Sequence, residues 1–91
     1  MNYEWDETKR AANLRKHGLD FVDVGLVFDD PFLLEFIDTR TDYGEQRLIA
    51  VGLYKNLVVT IIVYTDKRDV RRIISFRKAS KREEKIYYDN I

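Results

Sequence analysis

The chain has 91 residues, no cysteine, 45% hydrophobic and 35% charged side chains, and a formal net charge of zero. That length fits one small domain spanning 1–91, and the absent cysteines exclude a disulfide framework, a thiolate metal site and a cysteine nucleophile. A balanced charge argues against binding nucleic acid by bulk electrostatics alone, while the polar start MNYEWDETKR and the lack of any run of about 18 apolar residues lead us to expect a cytoplasmic protein with no membrane span.

Tyr3 and Trp5 alternate with polar neighbours, which suits a short first strand. Asp6 is a good N-cap for a helix over Glu7–His17, with apolar Ala11, Ala12 and Leu14, and Gly18 is a natural C′ residue. Asp20 caps a second helix in which Phe21, Val24, Val27 and Phe28 recur at helical spacing until Asp29-Asp30-Pro31 stops it. From Phe32 the period becomes two: FLLEFI, QRLIAVGLY, LVVTIIVYT and VRRIISFR read as strands separated by DTRTDYGE, KN and DKRD. Lys55-Asn56 suits a two-residue hairpin turn, and the nearly all-apolar Leu57 to Val63 predicts a central strand covered on both faces. Ser80 with Glu83 forms a capping box that opens a last helix carrying Tyr87 and Tyr88, of which at most one can face inward. The order β-α-α-β-β-β-β-α predicts an α+β fold, mainly antiparallel, packed by two N-terminal helices and one C-terminal helix.

Charge is unevenly distributed. Met1 to Glu45 holds eleven acids against five bases, and Gln46 to Ile91 holds eleven bases against five acids, so the halves carry −6 and +6. The simplest expectation is a basic, anion-binding face separate from an acidic one.

Three polar groups are candidates for chemistry. Lys16 and His17 lie at the end of the first helix, where cations also simply complement the helix dipole. Glu45 and Arg47, two apart at the mouth of a strand, share a face and form either a surface ion pair or a carboxylate base beside a guanidinium. Arg77 ends a strand just before the helix that carries Lys81 and Arg82, and strict alternation places Arg71, Ile73, Ser75 and Arg77 on one face. A phosphate would suit that group, although a solvated charged helix explains the helical part equally well.

No glycine-rich phosphate loop, H-E-x-x-H, calcium-loop or G-x-S-x-G pattern is present, so neither a cofactor nor a metal is expected. The remaining inventory of Arg, Lys, His, Glu and Tyr suits acid–base cleavage of RNA, in which the substrate's own 2′-OH attacks phosphorus.

The segments EWDETKRAANLRKHGLDFVDV, VFDDP, GEQR and VYT…RRIISFRKASKREEKIYY, in that order from Trp5 to Tyr88, resemble the BrnT family of type II toxin–antitoxin toxins. The resemblance implies a RelE-like fold and a metal-independent ribonuclease that blocks translation. It also implies a hetero-oligomer with a BrnA-like antitoxin, contact with DNA being only indirect, through that antitoxin. Carried onto this chain, it implies His17 or Glu45 as general base or acid, Arg47 and Arg77 as phosphate and transition-state stabilisers, and Lys16 and Arg82 as positioning cations; Lys81 and Arg71 join the substrate-binding candidates from the residue pattern alone. A non-catalytic RNA- or partner-binding module, or an inactive toxin relative acting only in a repressor complex, are the alternatives these residues leave open.

Overall fold

The computed structural model describes residues 1–40, 42 and 44–91; Thr41 and Tyr43, inside the expected DTRTDYGE connection, lie outside the described residues. Its elements follow the expected order: β1 (Asn2–Glu4), α1 (Glu7–His17), a 3₁₀ turn (Phe21–Asp23) running into α2 (Val24–Phe28), β2 (Leu34–Ile37), β3 (Leu48–Tyr54), β4 (Val58–Lys67), β5 (Val70–Lys78) and α3 (Lys81–Asp89). The strands form one sheet in the order β1-β5-β4-β3-β2, antiparallel except that β1 lies parallel to β5.

The strongest local signals act as expected. The Asp6 carboxylate accepts from the Thr8 and Lys9 amides, and Gly18 closes α1 at φ 72°, where a side chain would be strained. Lys55 and Asn56 both take positive φ, and the Leu57 amide donates to the Tyr54 carbonyl, making the tight turn that joins β3 to β4. Strand β4 is central, and Val59 to Tyr64 are buried without a break. The second helix is shorter than its spacing predicts, because its first turn tightens into the 3₁₀ segment under the Asp20 cap; Phe21, Val24 and Val27 are nevertheless fully buried.

Two cores result. On one face α1, the 3₁₀ turn and α2 pack Phe21, Val24 and Val27 against Ala50, Ile62, Tyr64, Ile73 and Phe76. Here Gly52 lets α2 approach, since a Cβ would meet Val27 Cγ1 and Leu33 Cδ1 at 2.7 Å each. On the other face α3 packs Tyr87 against Val51, Val59, Ile61 and Ala79.

Strict alternation fails in β5. Val63 pairs with Ser75 but Tyr64 pairs with Ile73, so Ile74 is an extra residue, a β-bulge. The bulge reverses parity: Ile73 and Phe76, expected on opposite faces, share the α1–α2 core. Arg71 and Arg77, expected on one face, are therefore on opposite faces.

Helix α1 docks through a polar residue: the apolar Leu14 is 40% exposed, whereas Asn13 is 8% exposed. Asn13 Oδ1 accepts from the Phe76 amide at 3.1 Å, and its Nδ2 donates to the Phe76 carbonyl at 2.7 Å and to the Leu19 carbonyl at 3.1 Å. Because β1 reaches only residues 70–72 of β5, the Asn13 carboxamide takes the place of a neighbouring strand and docks α1 along the remaining edge.

Candidate active site

The C-terminus of α1 and the C-terminal half of β5 meet because of that Asn13 contact. It brings His17, four residues further along α1, within electrostatic reach of Arg77. Partial desolvation, followed by the positive charges of Lys16 and Arg77, holds the His17 imidazole below its ordinary pKa and so favours the neutral base near neutral pH.

Arg77 lies on the α3 face, opposite Ile61 of β4, with 30% of its side chain exposed. Its Nη1 and Nη2 donate to the two carboxylate oxygens of Glu83 at 2.8 Å each. Glu83 Oε1 also accepts from the Ser80 amide at 2.8 Å, so the expected capping box is present and carries a guanidinium as well. The Arg77 bonds, opposed in part by burial, pull the Glu83 carboxyl down to about 2, and the same bonds raise Arg77. Arg40 adds a further positive charge near Arg77 and is itself held by Asp38, Nε to Oδ1 and Nη2 to Oδ2 at 2.8 Å each. Neither Arg40 nor Asp38 stood out in the sequence; their relation depends on a turn of the chain after β2. Lys16, Lys81 and Arg82 are exposed around this group.

The other expected residues are placed elsewhere. Glu45 and Arg47 do lie together, at 3.8 Å, but both precede β3 instead of forming part of a strand. The Arg47 carbonyl accepts from the Asp38 amide at 2.8 Å, extending the β2–β3 pairing by one step. Glu45 borders a shallow cavity of about 250 Å³ with Gln46, Leu48, Thr65, Asp66 and Lys67, beside the β4–β5 turn. Arg77 is seven positions along β5 from Val70, roughly 20 Å at strand rise, so Glu45 does not converge with it.

Arg71 is a structural residue in this arrangement. Its guanidinium stacks 4.3 Å from the Phe28 ring centroid and 5.3 Å from that of Tyr64. Asp66 and Glu35 flank it at 3.2 and 3.5 Å, and Glu35 also accepts from the Tyr64 hydroxyl at 2.8 Å. With the Arg72–Glu4 pair at 3.4 Å, these contacts join the acidic half of the chain to the basic half. The expected wholesale separation of charge is thereby replaced by a local concentration of cations around Arg77.

Fold and cation cluster together define a small α+β protein with a clasped arginine at the margin of its α3 face and a histidine at the end of α1. A family profile described as "Ribonuclease toxin, BrnT, of type II toxin-antitoxin system" matches residues 5–83. The chain belongs to this family of ribonuclease toxins, whose type II systems pair each toxin with an antitoxin. It is similar to the crystal structure of the Brucella abortus ribonuclease toxin BrnT, with a TM-score of 0.66 and 28% identity over 89% of this chain and 99% of that one. No curated protein matches it in sequence.

Proposed function

We propose that this chain is an endoribonuclease whose reaction centre lies between His17 and Arg77. The observation that carries the reading is the Asn13 clasp on Phe76, which docks the end of α1 that bears His17 on the stretch of β5 that runs to Arg77, whose charge helps bias the imidazole toward its neutral form. His17 takes the proton of a ribose 2′-OH as the 2′-oxygen forms its bond to phosphorus. The bond from phosphorus to the 5′-oxygen breaks, water protonates the departing oxygen, and a 2′,3′-cyclic phosphate remains. Arg77 stabilises the charge that accumulates on the phosphoryl oxygens, while Lys16, Lys81 and Arg82 hold the flanking phosphates. The chemistry needs no metal ion, and its consequence is arrest of translation, relieved by a BrnA-like antitoxin that binds DNA on the complex's behalf.

The test is incubation of the purified protein with RNA in excess EDTA and analysis of the 3′ ends. Cyclic phosphate ends from the parent, and their loss in both His17→Ala and Arg77→Ala, support the reading. Cleavage that stops in EDTA, or persists undiminished in Arg77→Ala, overturns it.

A further inference from the structure

The two edges of the sheet are treated differently. At one end the three-residue β1 is the edge strand, and beyond it the Asn13 carboxamide covers β5 at Phe76. The β2 edge has no such cover among the described residues. In the β2–β3 ladder the Asp38 amide points at Arg47, so alternation turns Phe36 and Leu34 toward β3 and leaves the N–H and C=O groups of Glu35 and Ile37 pointing outward. Neither lysine nor proline guards this strand, and Phe36 and Ile37 are 45% and 57% exposed.

An apolar groove of about 160 Å³ runs beside this edge on the α3 face. Ile49, Val51 and Ile61 form its floor, with Phe36 and Ile86 as walls, and Glu83 closes the end next to Arg77. The two carboxylates bordering the face, Glu83 and Asp38, already hold Arg77 and Arg40. Arg82, one helical turn before Ile86, and its neighbour Lys81 are exposed and make no ion pair among the described residues. The surface therefore offers unpaired main-chain groups, an apolar slot and a positive margin. RNA has no use for the first two features, and an extended acidic and apolar peptide uses all three.

We infer that the free edge of β2 is the docking site of the antitoxin, which adds a segment as a sixth strand, sets an apolar side chain between Phe36 and Ile86, and places carboxylates against Lys81 and Arg82. The inference rests on the toxin–antitoxin reading of the chain, but not on its ability to cut RNA. The added strand stands four strands from β5, and the apolar side chain it sets in the groove points toward the Glu83 end, next to Arg77.

The experiment uses the antitoxin encoded in the same operon, co-expressed and purified with the chain. Amide exchange at Glu35 and Ile37 is expected to slow at least about tenfold in the complex. Ile37→Pro removes an outward N–H without touching the pairing to β3, and Ile86→Glu charges the groove wall; each is expected to weaken the complex at least about tenfold. Val22→Glu, on the opposite face, is expected to bind as the parent does. Thermal unfolding of each variant separates lost docking from lost folding. The inference is overturned if neither edge variant weakens the complex, if the two amides stay unprotected, or if no complex with the parent forms. It is also overturned if the chain alone is a dimer that Ile37→Pro dissociates, since a second copy would then occupy the edge. A chain that binds in this way and yet leaves RNA intact refutes the ribonuclease reaction while sustaining the docking site.

Discussion

Arg77 and Glu83 face each other fork to fork, with both terminal nitrogens on both carboxylate oxygens at 2.8 Å. The pair links the last strand to the helix that covers it, and it fixes the plane of the guanidinium that we place at the reacting phosphate. With the second Nη1 hydrogen on the Lys78 carbonyl at 3.3 Å, this bidentate clasp leaves Nε–H and the outer Nη2 hydrogen for a ligand. In the proposed reaction Glu83 is therefore a positioning residue, and Arg77 the group that meets the substrate.

Replacing Arg77 by Ala is expected to lower the cleavage rate by roughly 2–4 kcal/mol of transition-state stabilisation, about 30-fold to 1000-fold. Arg77→Lys keeps the charge but not the fork, so it is expected to recover only part of that loss. Single-turnover cleavage of a defined RNA measures both.

The Glu83 carboxyl, held at about 2 against an ordinary value of 4.5, links the pair to stability. A depressed folded-state pKa contributes stability that is present above the unfolded value and lost as pH falls toward the folded one. Urea unfolding is thus expected to show a parent more stable than Glu83→Gln at pH 7, with the gap closing between pH 4.5 and about 2. An equal gap at both ends of that range would remove the ion pair as its source.

Cleavage by the parent is expected to rise with pH through a value below 6.5 and to level off near neutrality, because His17 must be unprotonated to act as a base and its surroundings disfavour the imidazolium. Lys16 and Arg77 both push in that direction, so Lys16→Ala is expected to move the inflection upward. A downward movement, or none, would show that another group controls the profile.

Asn13→Ala leaves the amide and carbonyl of Phe76 without partners at a buried sheet edge. Each such group costs roughly 1–3 kcal/mol, and the loss of both, softened by water entry, is expected to destabilise the fold by about 2–4 kcal/mol in urea titration. The same change frees the end of α1 that carries His17. Cleavage is therefore expected to fall even under conditions where the variant is fully folded.

Arg71 supplies the contrast to Arg77. Its contacts to Phe28, Tyr64, Glu35 and Asp66 are internal, so Arg71→Ala is expected to lower stability by roughly 1–3 kcal/mol while leaving the cleavage rate per folded molecule unchanged. Measuring activity well below the unfolding midpoint separates the two effects.

Much of the architecture is local in origin and so was readable along the chain. Asp6, Gly18, Lys55-Asn56 and the Ser80–Glu83 box determine helix and hairpin ends through contacts spanning a few residues. The burial of β4 follows from its continuous apolar run, and the inward Tyr87 and outward Tyr88 follow from helical geometry. Lys16, His17 and Arg77 were recognisable as candidates by residue type and by resemblance, whereas the Asn13 clasp that docks the end of α1 on β5 was not. Glu45 was grouped with them by its place in GEQR beside Arg47, and Arg71 by an alternation that the bulge interrupts.

Only the tertiary structure decided which cations share a face. A bulge at Ile74 is invisible to a period-two pattern, because it arises where β5 must satisfy its pairing with β4 and its packing beneath α1 and α2 simultaneously. Once that extra residue is inserted, every side chain on one side of it changes face: Arg71 turns into the α1–α2 core and Arg77 toward α3. Asn13 belongs to the same class of fact, since a polar residue in a helix is recognisable as an edge cap only when the edge it caps is known. Helix caps and the burial of β4 were thus fixed by neighbours in sequence, whereas the division between an arginine packed in the α1–α2 core and one turned toward α3 was fixed by neighbours in space.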